Sequence, residues 1–111
     1  MPRLDAAVLH LLPRHLELVR TVLSRHLPQA EVWAYGSRVN GDCHEASDLD
    51  LVVRNPAAFD EALPDLPDLK EALVESNLPI RVDVVDWARI PESFRREIER
   101  AYVVVRRSGE E

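Results

Sequence analysis

Two aspartates two residues apart, in Ser47-Asp48-Leu49-Asp50-Leu51, are the side chains of this chain whose type and spacing point most directly to chemistry. Leu49 to Val53 is an apolar run closed by Asn55-Pro56, the pattern of a strand. Side chains at i and i+2 of a strand share a face, with Cα atoms under about 7 Å apart, so Asp48 and Asp50 can reach one ion or an ion pair. Leu49 and Leu51 then turn into the core. Two carboxylates held this close repel, and burial raises the pKa of one of them unless a cation compensates. An all-oxygen site favours Mg²⁺, with Mn²⁺ as the alternative, and Mg²⁺ characteristically combines one or two carboxylates with substrate phosphates and water. The metal is expected to arrive with a nucleotide.

Upstream, Glu31-Val32-Trp33-Ala34-Tyr35 is rich in strand formers and stops at Gly36, where Gly36-Ser37-Arg38-Val39-Asn40-Gly41 turns the chain. Gly36 permits close approach of the backbone, and free N–H groups together with the Ser37 hydroxyl can hold phosphate oxygens. Arg38 can add a charge-assisted contact to a phosphate or to a nearby acidic residue. A third strand, Ile80 to Val85, carries Asp83 within Arg81-Val82-Asp83-Val84-Val85-Asp86. Asp86 is the rival third carboxylate. Strand alternation aims only one of the two at the site, and Asp86 suits a cap on the turn before Pro91.

The spaced motif, G-S-R-V-N-G followed by S-D-L-D-L, resembles the signature of the DNA polymerase beta-like nucleotidyltransferase superfamily, and the short chain resembles its minimal nucleotidyltransferase (MNT) branch. The likeness is close from Trp33 to Val53, and Arg81 to Asp86 resembles that branch's third-carboxylate strand. It implies an α/β (α+β) fold with a small mixed sheet flanked by helices. It implies that Asp48, Asp50 and Asp83 are catalytic residues and the ligands of two Mg²⁺ ions, with Gly36 and Ser37 as the triphosphate cradle and Arg38 beside it. The reaction implied is in-line attack of an acceptor hydroxyl on the α-phosphorus of ATP, releasing pyrophosphate. Minimal nucleotidyltransferases commonly pair with a helical HEPN-family toxin, so the resemblance implies an antitoxin that transfers AMP to a tyrosine of that partner. Two other readings stand beside it. One is a binding module that silences its partner by occupation, and the other is an aminoglycoside-type small-molecule nucleotidyltransferase that borrows a helical subunit.

The positioning elements follow from periodicity and punctuation. Leu12, Leu16, Val19 and Leu23 form one stripe of an amphipathic segment running from Leu4 to Leu27, with Pro13 expected to kink it or divide it. Asp68 to Asn77 reads as a short helix, Pro91 to Arg100 as another with Pro91 in its first turn, and Tyr102 to Val105 as a final edge strand. The expected order is helix, strand, strand, helix, strand, helix. Trp33 and Trp87 read as core or partner contacts, and His10, His15 and His26 as polar-side helix residues.

With 111 residues, 46% hydrophobic and 31% charged, the composition is that of one domain spanning 1–111 rather than a disordered or fibrous chain. No apolar run reaches the roughly 18 residues of a membrane helix, and Met1-Pro2-Arg3-Leu4-Asp5 lacks a signal-peptide layout, so a cytoplasmic protein is expected. Cys43 is the single cysteine, which excludes an intramolecular disulfide and a thiolate cluster. A net charge of −6 argues against broad binding to a nucleic-acid backbone, while an acidic surface suits a basic protein partner.

Overall fold

The computed structural model describes residues 3–4, 9–41, 47–63 and 66–107. Among these, strands β1 (Arg3–Leu4), β2 (Glu31–Tyr35), β3 (Leu49–Arg54), β4 (Val82–Asp86) and β5 (Tyr102–Arg106) form one sheet in the order β1-β5-β2-β3-β4. The sheet is mixed: β2 runs antiparallel to both β3 and β5, while β3–β4 and β1–β5 are parallel. Helices α1 (Pro13–His26), α2 (Ser37–Asn40), α3 (Leu66–Glu75) and α4 (Glu92–Glu99) complete the α/β fold, with a 3₁₀ turn at Trp87–Arg89.

Strand alternation divides the core into two layers. Val32, Ala34, Leu51, Val53, Val84 and Val103 face α1 and α3, where Val19, Leu23, Leu69 and Leu73 close over them. Trp33 and Val52 face the opposite way and pack with Trp87 and Ile98 under α4. Trp33 stacks on Tyr102 with ring centroids 3.9 Å apart and meets Trp87 edge-on at 5.4 Å, so both tryptophans belong to the core.

Three expectations require correction. The first helix does not begin near Leu4. Arg3–Leu4 pairs instead with Tyr102 and Val103, and α1 starts at Pro13, whose ring would clash with the carbonyl four residues earlier in a continuous helix. Consequently His10 precedes the helix. The segment from Tyr102 is not an edge strand, because β1 covers one side of β5 and β2 the other. The helix expected from Asp68 begins at Leu66, since Pro67 is tolerated in a first turn. Cys43-His44-Glu45 lies outside the described residues. No helix among the described residues is long and apolar enough to cross a membrane.

Candidate active site

The site forms where β2 ends and β3 and β4 begin. In the ladder, Tyr35 stands opposite Asp50 and Asp50 opposite Asp83, so three adjacent strands present a row of phenol, carboxylate and carboxylate on the α4 side of the sheet. Leu49 and Leu51 point the other way into the core, as their alternation requires. Asp50 is half-buried, whereas Asp48, just before β3, and Asp83 are exposed.

Electrostatics record this crowding. Burial pushes the Asp50 carboxyl above the ordinary carboxylate range, with the negative charges of Asp83 and then Asp48 adding to it. Burial likewise raises the Tyr35 phenol, reinforced by Asp50 and Asp83. Tyr35 therefore stays protonated beside Asp50, a hydrogen-bond donor rather than another negative charge. Its ring is fixed edge-on against Phe94 of α4, centroids 5.7 Å apart. Sequence reading placed Tyr35 in a strand without assigning it to the site. Its position next to Gly36 and in phase with Trp33 is the signal that could have done so.

Gly36 has φ 79° and ψ −153°, a conformation essentially reserved for glycine. A Cβ there would overlap Oδ2 of Asp50 and lie 3.3 Å from its Cγ. The glycine thus serves twice, turning the chain into α2 and bringing the backbone against the carboxylate. Ser37 opens α2, in which the Gly36 carbonyl accepts from Val39 N at 3.0 Å and Asn40 N at 2.9 Å. Beside Tyr35 and Gly36 lies a cavity of about 450 Å³, also lined by Asn40, Phe94, Glu97 and Arg100. A larger one, about 580 Å³, lies at the start of α1 among His10, Pro13, His15, Arg38 and Ile80, and none of the three aspartates lines it.

Arg38 donates to main-chain carbonyls on both sides of it. Its side chain is 7% exposed. Its Nε and Nη2 donate to the carbonyl of Ser47 at 3.1 and 2.9 Å, and Nη1 donates to that of His10 at 2.6 Å. His10 N returns a 2.7 Å bond to the Arg38 carbonyl. The guanidinium fork therefore ties the segment before α1 to the residue preceding Asp48. Its contribution to the site is indirect: it fixes where Asp48 begins.

Asp83 and Asp86 also separate. Asp86 is 2% exposed, its Oδ1 accepting from Ala88 N at 3.0 Å and its Oδ2 from Leu63 N at 2.9 Å. Both oxygens serve as caps, on the 3₁₀ turn and on the chain before α3. Asp83 faces Asp50 with no such duty.

The fold is shared with known proteins. The model of the family described as "Nucleotidyltransferase domain" matches residues 16–107. A relative from Haemophilus influenzae, "Probable protein adenylyltransferase MntA", is 43% identical over 99 residues, covering 89% of this chain and 85% of that protein. Among solved structures, "Crystal structure of the toxin-antitoxin with AMP-PNP" contains a chain with the same fold, at a TM-score of 0.67 and 20% identity, covering 83% of this chain and 73% of that one.

Proposed function

We propose, given that this chain belongs to the nucleotidyltransferase domain family, that it transfers AMP from ATP to a tyrosine hydroxyl of a partner HEPN-family toxin and so acts as an antitoxin. The observation that carries this reading is the pairing of Asp50 with Asp83 on adjacent strands, beside a glycine whose backbone abuts the Asp50 carboxylate. Transfer to a protein is supported by the adenylyltransferase relative, and the toxin partner and ATP by the complex containing AMP-PNP. The tyrosine and the HEPN class rest on the motif resemblance.

The donor set suits Mg²⁺, being all oxygen, and a cation would offset the burial and the negative charges of Asp83 and Asp48 that raise the Asp50 carboxyl. Among the described residues no three His, Cys, Asp or Glu side chains are grouped to hold an ion unaided. Asp48, Asp50 and Asp83 would therefore hold it together with triphosphate oxygens, the usual habit of Mg²⁺. When bound, it supplies positive charge at the α-phosphate and at the attacking and leaving oxygens. The backbone after Gly36 and the Ser37 hydroxyl grip the β- and γ-phosphates, and the nucleoside extends toward the cavity beside Phe94. Tyr35, kept protonated by burial and by the charges of Asp50 and Asp83, adds no further negative charge to the carboxylate row. Asp83, outermost in the row, accepts the acceptor's phenolic proton and passes it to water. The phenolic oxygen bonds to the α-phosphorus as the bond to the bridging oxygen breaks, and pyrophosphate leaves.

The direct test incubates the chain and the protein encoded beside it with ATP labelled at either the α- or the γ-phosphate. Label from the α position alone should reach the partner. Label from the γ position would indicate phosphoryl transfer and overturn the reading.

A further inference from the structure

The strand that carries Asp83 is the last in the sheet, so among the described residues β4 pairs with β3 on one edge and with no strand on the other. The Arg81 carbonyl accepts from Leu49 N at 2.9 Å, and Asp83 is in register with Asp50. Main-chain groups of successive strand residues point to opposite neighbours, so Arg81, Asp83 and Val85 direct theirs at β3. Val82 and Val84 direct theirs outward. Among the described residues, no hydrogen bond outside the sheet meets those outward groups.

A groove of about 440 Å³ runs along this edge beside α3, lined by Lys70, Val74, Leu78, Arg81, Val82 and Asp83. Val74 is 84% exposed there, although Leu66, Leu69 and Leu73 of the same helix are buried. Lys70 and Arg81 are exposed and place two positive charges along the groove of a chain whose net charge is −6. An open edge invites strand pairing, and proteins ordinarily cover or blunt one that has no use.

We propose that this edge docks the acceptor: an extended, acidic, tyrosine-bearing segment of the partner protein pairs with the main chain of Val82 and Val84 as an added strand. This rests on the reading of Asp50 and Asp83 as the transfer site. Neighbouring strands lie about 4.8 Å apart, so a residue opposite Asp83 on the added strand projects onto the carboxylate face one strand beyond it. A tyrosine there reaches back over Asp83 toward Asp50. Alternate side chains of the segment turn to the other face, over Val74 and Leu78, and Lys70 favours acidic residues among them. Main-chain pairing accepts many sequences, and the groove's charge supplies the choice.

The test compares wild type with Val82→Pro, which removes one outward N–H and leaves the bonds to β3, and with Lys70→Glu, which reverses an exposed charge on α3. Transfer to the partner encoded beside this chain should show a KM for the partner raised about 2- to 10-fold in each variant, with kcat and ATP affinity near wild type. In the complex, amide exchange at Val82 and Val84 should slow in the wild type, while the amides already bonded to β3 change little. An active wild type with both variants equal to it in KM, and no slowing at Val82 and Val84, overturns the edge as docking track. Slowing that follows the concentration of this chain alone assigns the edge to a second copy, and also overturns it. A wild type inert toward the partner refutes the transfer reading instead.

Discussion

Replacing Gly36 with alanine tests the join between backbone and chemistry at one position. At φ 79° and ψ −153° an alanine is strained by about 1–3 kcal/mol. Its Cβ would also overlap Oδ2 of Asp50, an overpacking that typically adds about 1–3 kcal/mol. Reduced freedom of the unfolded chain offsets about 0.4–1 kcal/mol. The net expectation is a loss of about 2–4 kcal/mol, at roughly 4–8 °C of midpoint per kcal/mol for a domain near this size. Urea and thermal unfolding of the nucleotide-free protein measure it. Relief of the overlap moves the Asp50 carboxylate, and a shift of about 1 Å at a reacting centre costs on the order of 100-fold in rate. The transfer rate per folded molecule measures that part. In an Asp50→Ala background the overlap is gone and only the backbone strain remains, so the stability loss should fall to about 1–2 kcal/mol. Gly36→Ala with wild-type stability and a transfer rate within about twofold would refute the reasoning. An identical loss in both backgrounds would refute the contact with Asp50 alone.

The other expectations concern the carboxylates and Arg38. Asp83→Ala should leave stability within about 0.5 kcal/mol of wild type and abolish transfer. Asp86→Ala, which strands two buried N–H groups, should lose about 2–5 kcal/mol while its folded fraction still turns over, as paired denaturation and transfer assays would reveal. Asp50→Asn should stabilise the metal-free protein at neutral pH. A carboxyl whose folded pKa lies above its unfolded value makes stability fall as pH rises through that interval, so the variant's advantage should vanish below the ordinary carboxylate range in a pH series of unfolding curves. Arg38→Lys should destabilise by about 2–4 kcal/mol through loss of the forked contact to the Ser47 carbonyl, yet change ATP affinity of the folded protein by less than about threefold, read by calorimetry.

The parts of this fold that were legible in the residues are those governed by local rules. Glu31–Tyr35 and the strand from Leu49 are set by β-forming runs and stopped by Gly36 and Asn55-Pro56, and both stand where the pattern placed them. The glycine turn after Glu31–Tyr35 was likewise readable, and of the two aspartates Asp50 stands on the expected strand while Asp48 lies just before it. What could not be read depends on partners distant in sequence. Arg3–Leu4 becomes a strand only because β5 offers an edge almost a hundred residues later. The same long-range pairing moves Tyr102–Arg106 from the margin to the interior of the sheet. The contacts of Arg38 with the carbonyls of His10 and Ser47 were likewise out of reach of local reading, because the tertiary fold brings them to it. Asp83 and Asp86 are set apart by parallel register with β3 and by the Leu63 amide, neither of which is written in the local sequence.

The most direct test of the central claim is the intact mass of the protein encoded beside this chain after co-expression with it. A gain of one or more AMP units is expected, placed on a tyrosine by fragmentation of the modified protein and absent when the chain carries Asp48→Ala and Asp50→Ala. An unmodified partner in a stable complex with the active chain would contradict it.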